Sequence, residues 1–250
     1  MIDLHSHLLY DTDDGVENLK EAVKQIKQAQ KNGVTKICLT PHYIEPNYIK
    51  TVEENKEKFE ALREELEKQN INVELFLGNE IFINREVVKN IEENKVSTIN
   101  NTSYVLVEIP MYTEIKNIKD ILEGITDSGY SVIIAHPERY MCVQKNINYF
   151  YNLVDGPIYL QGNYESLIGL YGAEAKKTLI KLLKNKQIAI LSTDIHRKNF
   201  YEDIPEFIKV LRKIISEDYL KQITEENQEK ILNDEEIDLE LKKIKKLMFI

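Results

Sequence analysis

Short apolar runs alternate along the chain with longer polar stretches of helical period. The runs are Met1 to Leu4, Lys36 to Thr40, Val73 to Leu77, Tyr104 to Val107, Val132 to Ala135, Pro157 to Leu160 and Gln187 to Leu191. Each has the length of a strand. Between them, Leu19, Val23, Ile26 and Gln30 trace one face of a first helix, with Ala22 and Ala29 beside it. Thr51, with Glu54 three residues on, reads as the N-cap of a second helix, in which Phe59, Leu62 and Leu66 recur at helical spacing. Further helices are predicted over Asn84 to Glu93, Thr113 to Thr126 and Tyr171 to Lys186. The stretch from Glu202 to Ile250 is helical in pattern, and its Lys and Glu residues read as a solvated face.

Strands flanked by helices predict parallel pairing through right-handed crossovers. Seven such strands fit an α/β barrel like the eight-stranded type but one strand short, and fit an open doubly wound sheet less well. No internal repeat, low-complexity tract or linker divides the sequence. Residues 1–250 therefore read as a single domain, with residues 202–250 as its helical C-terminal part.

Composition narrows the function. A chain of 250 residues with 42% apolar side chains buries a sizeable core without disulfides. Cys38 and Cys142 are its only cysteines and form no Cys-x-x-Cys pair, so a reducing cytoplasmic setting is expected. A net charge of -9 argues against nucleic acid as a partner. No apolar run is long enough to span a bilayer, so direct membrane insertion is not expected. Any membrane association would come through a partner.

The chemistry lies where the strand runs end. The first ends in Asp3-Leu4-His5-Ser6-His7, the second in Thr40-Pro41-His42, and the third in Leu77-Gly78-Asn79-Glu80. The fourth ends in Val107-Glu108, the fifth in Ala135-His136-Pro137-Glu138-Arg139, and the last in Asp194-Ile195-His196. All five histidines fall in these segments. A lone histidine is more often a hydrogen-bonded surface residue than a ligand, but here each stands at a strand end in the company of carboxylates. A parallel barrel gathers such ends on one rim. Residues two apart on a strand share a face, so His5 and His7 can grip one ion, as can Asp194 and His196.

With Asp14 the candidate ligands are His5, His7, Asp14, His42, Glu80, Glu108, His136, Asp194 and His196. That is too many for one ion and fits two or three. Imidazole with carboxylate suits manganese, iron or zinc better than magnesium alone. Such clusters acidify bound water and clamp the attacking and leaving oxygens of a phosphoryl group. Asp13-Asp14-Gly15 would otherwise be an ordinary helix start. Arg139 would otherwise be a surface ion pair, but beside a metal rim it is a natural bidentate grip for phosphate. Arg197 abuts His196 and is a second candidate contact. Asp13 is a candidate proton donor to the leaving group. Tyr43, Tyr48, Tyr112 and Tyr140 cluster near the strand ends, where some would pack and others could meet an aromatic ester. Neither cysteine heads a Cys-x5-Arg loop, and no Gly-rich phosphate loop occurs.

These motifs, in this order over about residues 1–200, resemble the bacterial metal-dependent protein-tyrosine phosphatases of the polymerase and histidinol phosphatase (PHP) superfamily. The resemblance implies a distorted seven-stranded (β/α)7 barrel of the PHP type. It also implies a cluster of two or three ions, Mn2+ foremost, with Fe, Zn, Co or Mg as alternatives. By similarity, His5, His7, Glu80 and Asp194 would hold one ion. Glu80, Glu108 and His136 would hold a second, and Asp14, His42 and His196 a third. Arg139 would bind the phosphate. The implied partner is the phosphorylated tyrosine-rich tail of a bacterial tyrosine kinase that regulates capsule or exopolysaccharide synthesis. The alternatives are a small-molecule phosphatase such as histidinol phosphatase, and a non-catalytic metal-bound regulatory protein.

Overall fold

The computed structural model describes residues 1–113, 116–153, 156–196 and 200–245. Its elements follow the predicted alternation: β1 (Ile2–Ser6), α1 (Leu19–Lys31), β2 (Lys36–Leu39), β3 (His42–Tyr43), α2 (Val52–Lys68), β4 (Glu74–Leu77), β5 (Glu80–Phe82) and α3 (Val87–Glu92). There follow β6 (Tyr104–Glu108), α4 (Ile118–Asp127), β7 (Ser131–Ala135), α5 (Met141–Lys145), β8 (Ile158–Asn163), α6 (Ala173–Lys184), β9 (Ile188–Ser192) and α7 (Ile204–Leu211). The last helices are α8 (Glu217–Lys221) and α9 (Asn227–Leu232), joined by a π-type turn over Gln222–Glu226.

Every strand pairing is parallel, in one sheet ordered β1-β2-β4 and another ordered β3-β5-β6-β7-β8-β9. Two of the predicted strands are each followed, after a break, by a short second strand. Thr40-Pro41 separates β2 from β3, and Gly78-Asn79 separates β4 from β5. Proline has no N–H to give a ladder, so the chain steps sideways there and pairing resumes on a new sheet. Asn79 stitches the break, donating through Nδ2 to the Pro41 carbonyl at 2.9 Å and accepting the Ser97 N–H at 2.9 Å. The ring closes where Ser6 bridges Ile195, with the His7 N–H donating to the Ile195 carbonyl at 2.8 Å. The result is the seven-pass α/β barrel expected, distorted by its two breaks.

Two apolar layers hold it. One lies between the strands and the outer helices and takes in Ala22, Val23 and Ile26 of α1, Leu62 and Leu66 of α2, Leu122 and Ile125 of α4 and Leu179 of α6. The other fills the barrel lumen with Leu4, Cys38, Tyr104, Leu106, Ile133, Ala135, Tyr159 and Ile190. Alternate residues share a strand face, so Glu108 stands in line above Leu106 and Tyr104. Gln161 and Asn163 likewise stand above Tyr159.

The helix expected over Tyr171 to Lys186 is two residues shorter at each end, and three other helix boundaries differ from the sequence expectation. The Asn84 side chain accepts the Glu86 N–H at 2.8 Å and makes a turn, which delays α3 to Val87. Asn117 is left-handed (φ 66°), so α4 begins at Ile118 rather than Thr113. Among the described residues the C-terminal stretch is helical only to Leu232, where left-handed Asp234 turns the chain under the barrel; residues 246–250 of the predicted stretch lie outside them. There the Tyr104 hydroxyl donates to the Glu235 carbonyl at 2.7 Å, and Ile237 and α9 plug the lumen. No helix among the described residues is long and apolar enough to cross a membrane.

Candidate metal centre

The candidate ligands arrive at one mouth from six points of the chain. His5 is in β1 and His7 follows it. His42 opens β3, Glu80 opens β5 and Glu108 closes β6. His136 comes directly after β7, while Asp194 and His196 follow β9. His136 and Asp194 both have left-handed backbone, with φ of 33° and 52°. Side chains with a Cβ seldom adopt that region, and in both places it turns the chain out of its strand at the centre. Gly15 is forced by contact rather than by φ. A Cβ on it would lie 2.1 Å from the His7 carbonyl oxygen.

The ligand atoms fall into three overlapping sets, each within a 4.8 Å span: His5, His7, Glu80 and Asp194; His7, Asp14, His42 and His196; and His42, Glu80 and Glu108. The first is the set implied by resemblance. The second adds His7 to the expected three. In the third His42 joins the two glutamates, and His136 stands alongside, its Nε2 3.0 Å from Glu80 Oε1 and 3.9 Å from Glu108 Oε1. His7, Glu80 and His42 each belong to two of the sets.

Whether these residues suit cations is tested by their unpaired atoms. Glu80 Oε2, Asp194 Oδ1 and His42 Nδ1 are buried and make no well-directed hydrogen bond, although His42 Nδ1 and Glu80 Oε2 lie 2.9 Å apart. Such atoms are costly unless a charge satisfies them. His5 Nε2 lies 3.2 Å from Glu80 Oε2, 3.4 Å from Asp194 Oδ1 and 3.2 Å from His7 Nε2. Two carboxylate oxygens and two imidazole nitrogens converging this closely fit a divalent ion of N/O preference.

The comparisons with known proteins agree with that geometry. Residues 1–233 match the family described as capsular polysaccharide synthesis, CpsB/CapC. The chain belongs to that family. It is 28% identical to a putative tyrosine-protein phosphatase CapC of Staphylococcus aureus, over 89% of this chain and 94% of that one. It superposes with a TM-score of 0.87 at 28% identity on a structure of YwqE from Bacillus subtilis and CpsB from Streptococcus pneumoniae, described as unique metal-dependent tyrosine phosphatases. That match covers 95% of this chain and 96% of the other. A histidinol phosphate phosphatase from Lactococcus lactis shares the fold alone, at 14% identity and a TM-score of 0.54, over 85% of this chain and 93% of its own.

Within this family framework one expected role is not matched by the geometry. Asp13 does not stand free as a proton donor. Its Oδ2 accepts from His7 Nδ1 at 2.7 Å and from the His42 N–H at 2.8 Å, and its Oδ1 accepts the Gly15 N–H at 2.9 Å. Burial opposes its charge, but His7 and then His42 outweigh that and hold it at about 2. It carries no proton at neutral pH and instead orients His7. Arg197 lies outside the described residues. Arg139 is at the mouth, three-quarters buried, donating from Nη1 to Asp194 Oδ2 at 2.8 Å with its guanidinium 4.3 Å above the Tyr171 ring. Of the tyrosines, Tyr140 is wholly buried and accepts the Ile109 N–H at 3.1 Å, so it packs. Tyr43 is buried too, whereas Tyr48 stacks on His42 at 5.8 Å.

Gln161 and Asn163 escaped the sequence reading. Their strand ended without a histidine or a carboxylate, the signal that marked the other stations. Gln161 Oε1 accepts from His5 Nδ1 at 2.8 Å, and Asn163 Nδ2 donates to Asp194 Oδ2 at 2.8 Å. Two polar residues in period two at the end of an otherwise apolar strand were the available clue.

Charge at the centre follows from burial and neighbours. For His5, burial favours the neutral ring, but Glu80 and Asp194 overcome it and raise the imidazole to about 9. Glu108 is pushed up to about 8, by burial and by the adjacent Glu80. His136, buried beside Arg139, is lowered to about 4. A protonated His5 must lose its proton to ligate. Loading with Mn2+ at pH 7 is therefore expected to release protons, and affinity should rise with pH up to about 9. Calorimetric titration in two buffers of different ionisation enthalpy checks this, and a buffer-independent heat would contradict it. Gly15→Ala should push His7 off its position and weaken Mn2+ binding about tenfold or more, as read by metal content after dialysis; wild-type content would contradict the tight-contact argument.

Proposed function

We propose that this chain hydrolyses phosphotyrosine on a protein, using divalent ions held at the barrel mouth. The observation that carries the reading is the buried set His5, His7, Glu80 and Asp194, its unpaired oxygens bordered by a partly exposed arginine. The proposed ligands are the nine residues named from the strand ends and the Asp14 loop. Manganese is the favoured metal, with two or three ions per chain. Ions held there would acidify water and offset charge on the phosphoryl oxygens.

The protein's own groups do the rest. Arg139 supplies N–H donors to the phosphoryl oxygens, and its ion pair with Asp194 and its stacking on Tyr171 fix the guanidinium before substrate arrives. Glu138 beneath it is buried, and its Oε1 accepts the Asn163 N–H at 2.9 Å and the Ser166 hydroxyl at 2.7 Å, which ties the Pro137–Arg139 turn to β8. Tyrosinate leaves readily because a phenol has a pKa of about 10, so a dedicated strong acid among these residues is unnecessary. The capsule family and the tyrosine-phosphatase relatives support a bacterial tyrosine kinase as the substrate protein, dephosphorylated in its tyrosine-rich tail. The excess of acidic residues supports a protein substrate over nucleic acid.

The deciding experiment strips the metals, restores Mn2+, and compares a phosphotyrosine peptide, histidinol phosphate and a nucleotide ester. Strong preference for the peptide is expected. Preference for histidinol phosphate would keep the metal chemistry and overturn the substrate, while metal binding without turnover would make the protein regulatory. Arg139→Met should lower kcat/KM on the peptide by about 10²–10³-fold with metal content retained. Undiminished turnover would remove Arg139 from the phosphate site.

A further inference from the structure

Strand β8 supplies no candidate ligand, yet it runs through the centre of the site. Gln161 and Asn163 are fully buried and, two apart, share its lumen face. Their amides form a chain whose polarity can be read from one end to the other. Gln161 Nε2 donates to the Gly162 carbonyl at 2.9 Å and to Asn163 Oδ1 at 2.7 Å. Both are acceptors only, so the other end of the amide, Oε1, must face His5. Because Oε1 can only accept, His5 Nδ1 carries the proton at their 2.8 Å contact. That leaves His5 Nε2 to face Glu80 Oε2 and Asp194 Oδ1.

At the other end, Asn163 Oδ1 is taken by Gln161, so its Nδ2 must donate, and it does so to Asp194 Oδ2. The same oxygen receives Arg139 Nη1 at 2.8 Å. Asp194 Oδ1 receives no hydrogen bond and lies 3.3 Å from His7 Nε2 and 3.4 Å from His5 Nε2. The two oxygens of one carboxylate are thereby given different tasks.

We propose that Gln161 and Asn163 are positioning residues, which present His5 through Nε2 and Asp194 through Oδ1 alone to the first metal subsite while tying Arg139 to that subsite. This rests on the reading of the mouth as a metal centre. Partners of this kind fix the ring orientation and the bound oxygen of the ligands they touch. Here one strand does it for ligands from two other strands, so metal binding and the phosphate-contacting arginine share a support. A purely packing role would be met by any amide pair that satisfied itself. In this pair, each amide instead spends one end on a metal-ligand side chain.

The test is Mn2+ affinity and stoichiometry for wild type, Gln161→Met and Asn163→Ala, each checked for fold by circular dichroism and thermal unfolding. Both variants are expected to bind Mn2+ about 10–100-fold more weakly. At saturating Mn2+, Gln161→Met should regain most of its kcat on p-nitrophenyl phosphate, whereas Asn163→Ala should keep a raised KM because the Asp194 oxygen that anchors Arg139 is no longer fixed. Folded variants whose Mn2+ affinity stays within about twofold of wild type would overturn the proposal. Wild type failing to bind Mn2+ at all would overturn the metal-centre reading beneath it. If a variant does not fold, nitrogen NMR of the Mg2+-loaded wild type decides instead. A proton on His5 Nδ1 supports the assignment, and a proton on Nε2 refutes it.

Discussion

Buried negative charge at the barrel mouth is the constraint around which the rest of this molecule is arranged. Glu80 and Asp194 are almost wholly out of water, with Glu108 and Asp14 at the edge. Carboxylates so close repel each other and lose hydration, at a cost only opposite charge or proton uptake can offset. In the metal-free protein the offset comes from protons. The imidazoles of His5 and His7 are driven toward their charged forms by the adjacent carboxylates, and Glu108 is driven toward its neutral form. Divalent cations held by these residues would replace those protons with charge at the same points. The centre is thus built to be unsatisfied by its own side chains, as a site that must bind ions strongly should be.

A barrel is well suited to holding such a centre because its strands change character along their length. On β6 the lumen face passes from Tyr104 through Leu106 to Glu108, and on β8 from Tyr159 to Gln161 and Asn163. The apolar half is closed from below by Ile231, Leu232 and Ile237. The same rigid strands that exclude water from the floor therefore fix the spacing of the ligands at the mouth. The two breaks, at Thr40-Pro41 and Gly78-Asn79, each deliver the next residues, His42 and Glu80, at the start of a short strand. Those two residues pair directly in register. Both belong to the third ligand set, and each belongs to one of the other two. The distortion of the barrel and the overlap of the ligand sets have one structural origin.

Support around the ligands is as ordered as the ligands themselves. Asp13 fixes His7, Gln161 fixes His5, and Asn163 with Arg139 holds one oxygen of Asp194. Each contact removes a rotation or a tautomer that the ligand would otherwise have to give up on binding. Arg139 has a double role, neutralising Asp194 while keeping its remaining N–H groups at a partly exposed rim. Its stacking on Tyr171 holds the flat guanidinium in one plane.

Much of this was legible in the chain itself. Seven apolar runs of strand length, six of them followed by histidine or carboxylate, predicted a parallel α/β barrel with a metal-type rim, because strand direction sends all carboxyl ends to one side. Alternation also determined that His5 and His7 act together, and the Thr51–Glu54 spacing placed the start of α2, where the capping box is present. The tertiary structure alone set Asp13 against His7 and His42, since these partners are brought to it by separate strands. It decided that His7 and His42 each serve two ligand sets, which depends on where β3 emerges after its break. It also brought Gln161 and Asn163 into the centre. An amide has no fixed chemistry of its own, and what it does is set by which donors and acceptors the fold places within about 3 Å of it.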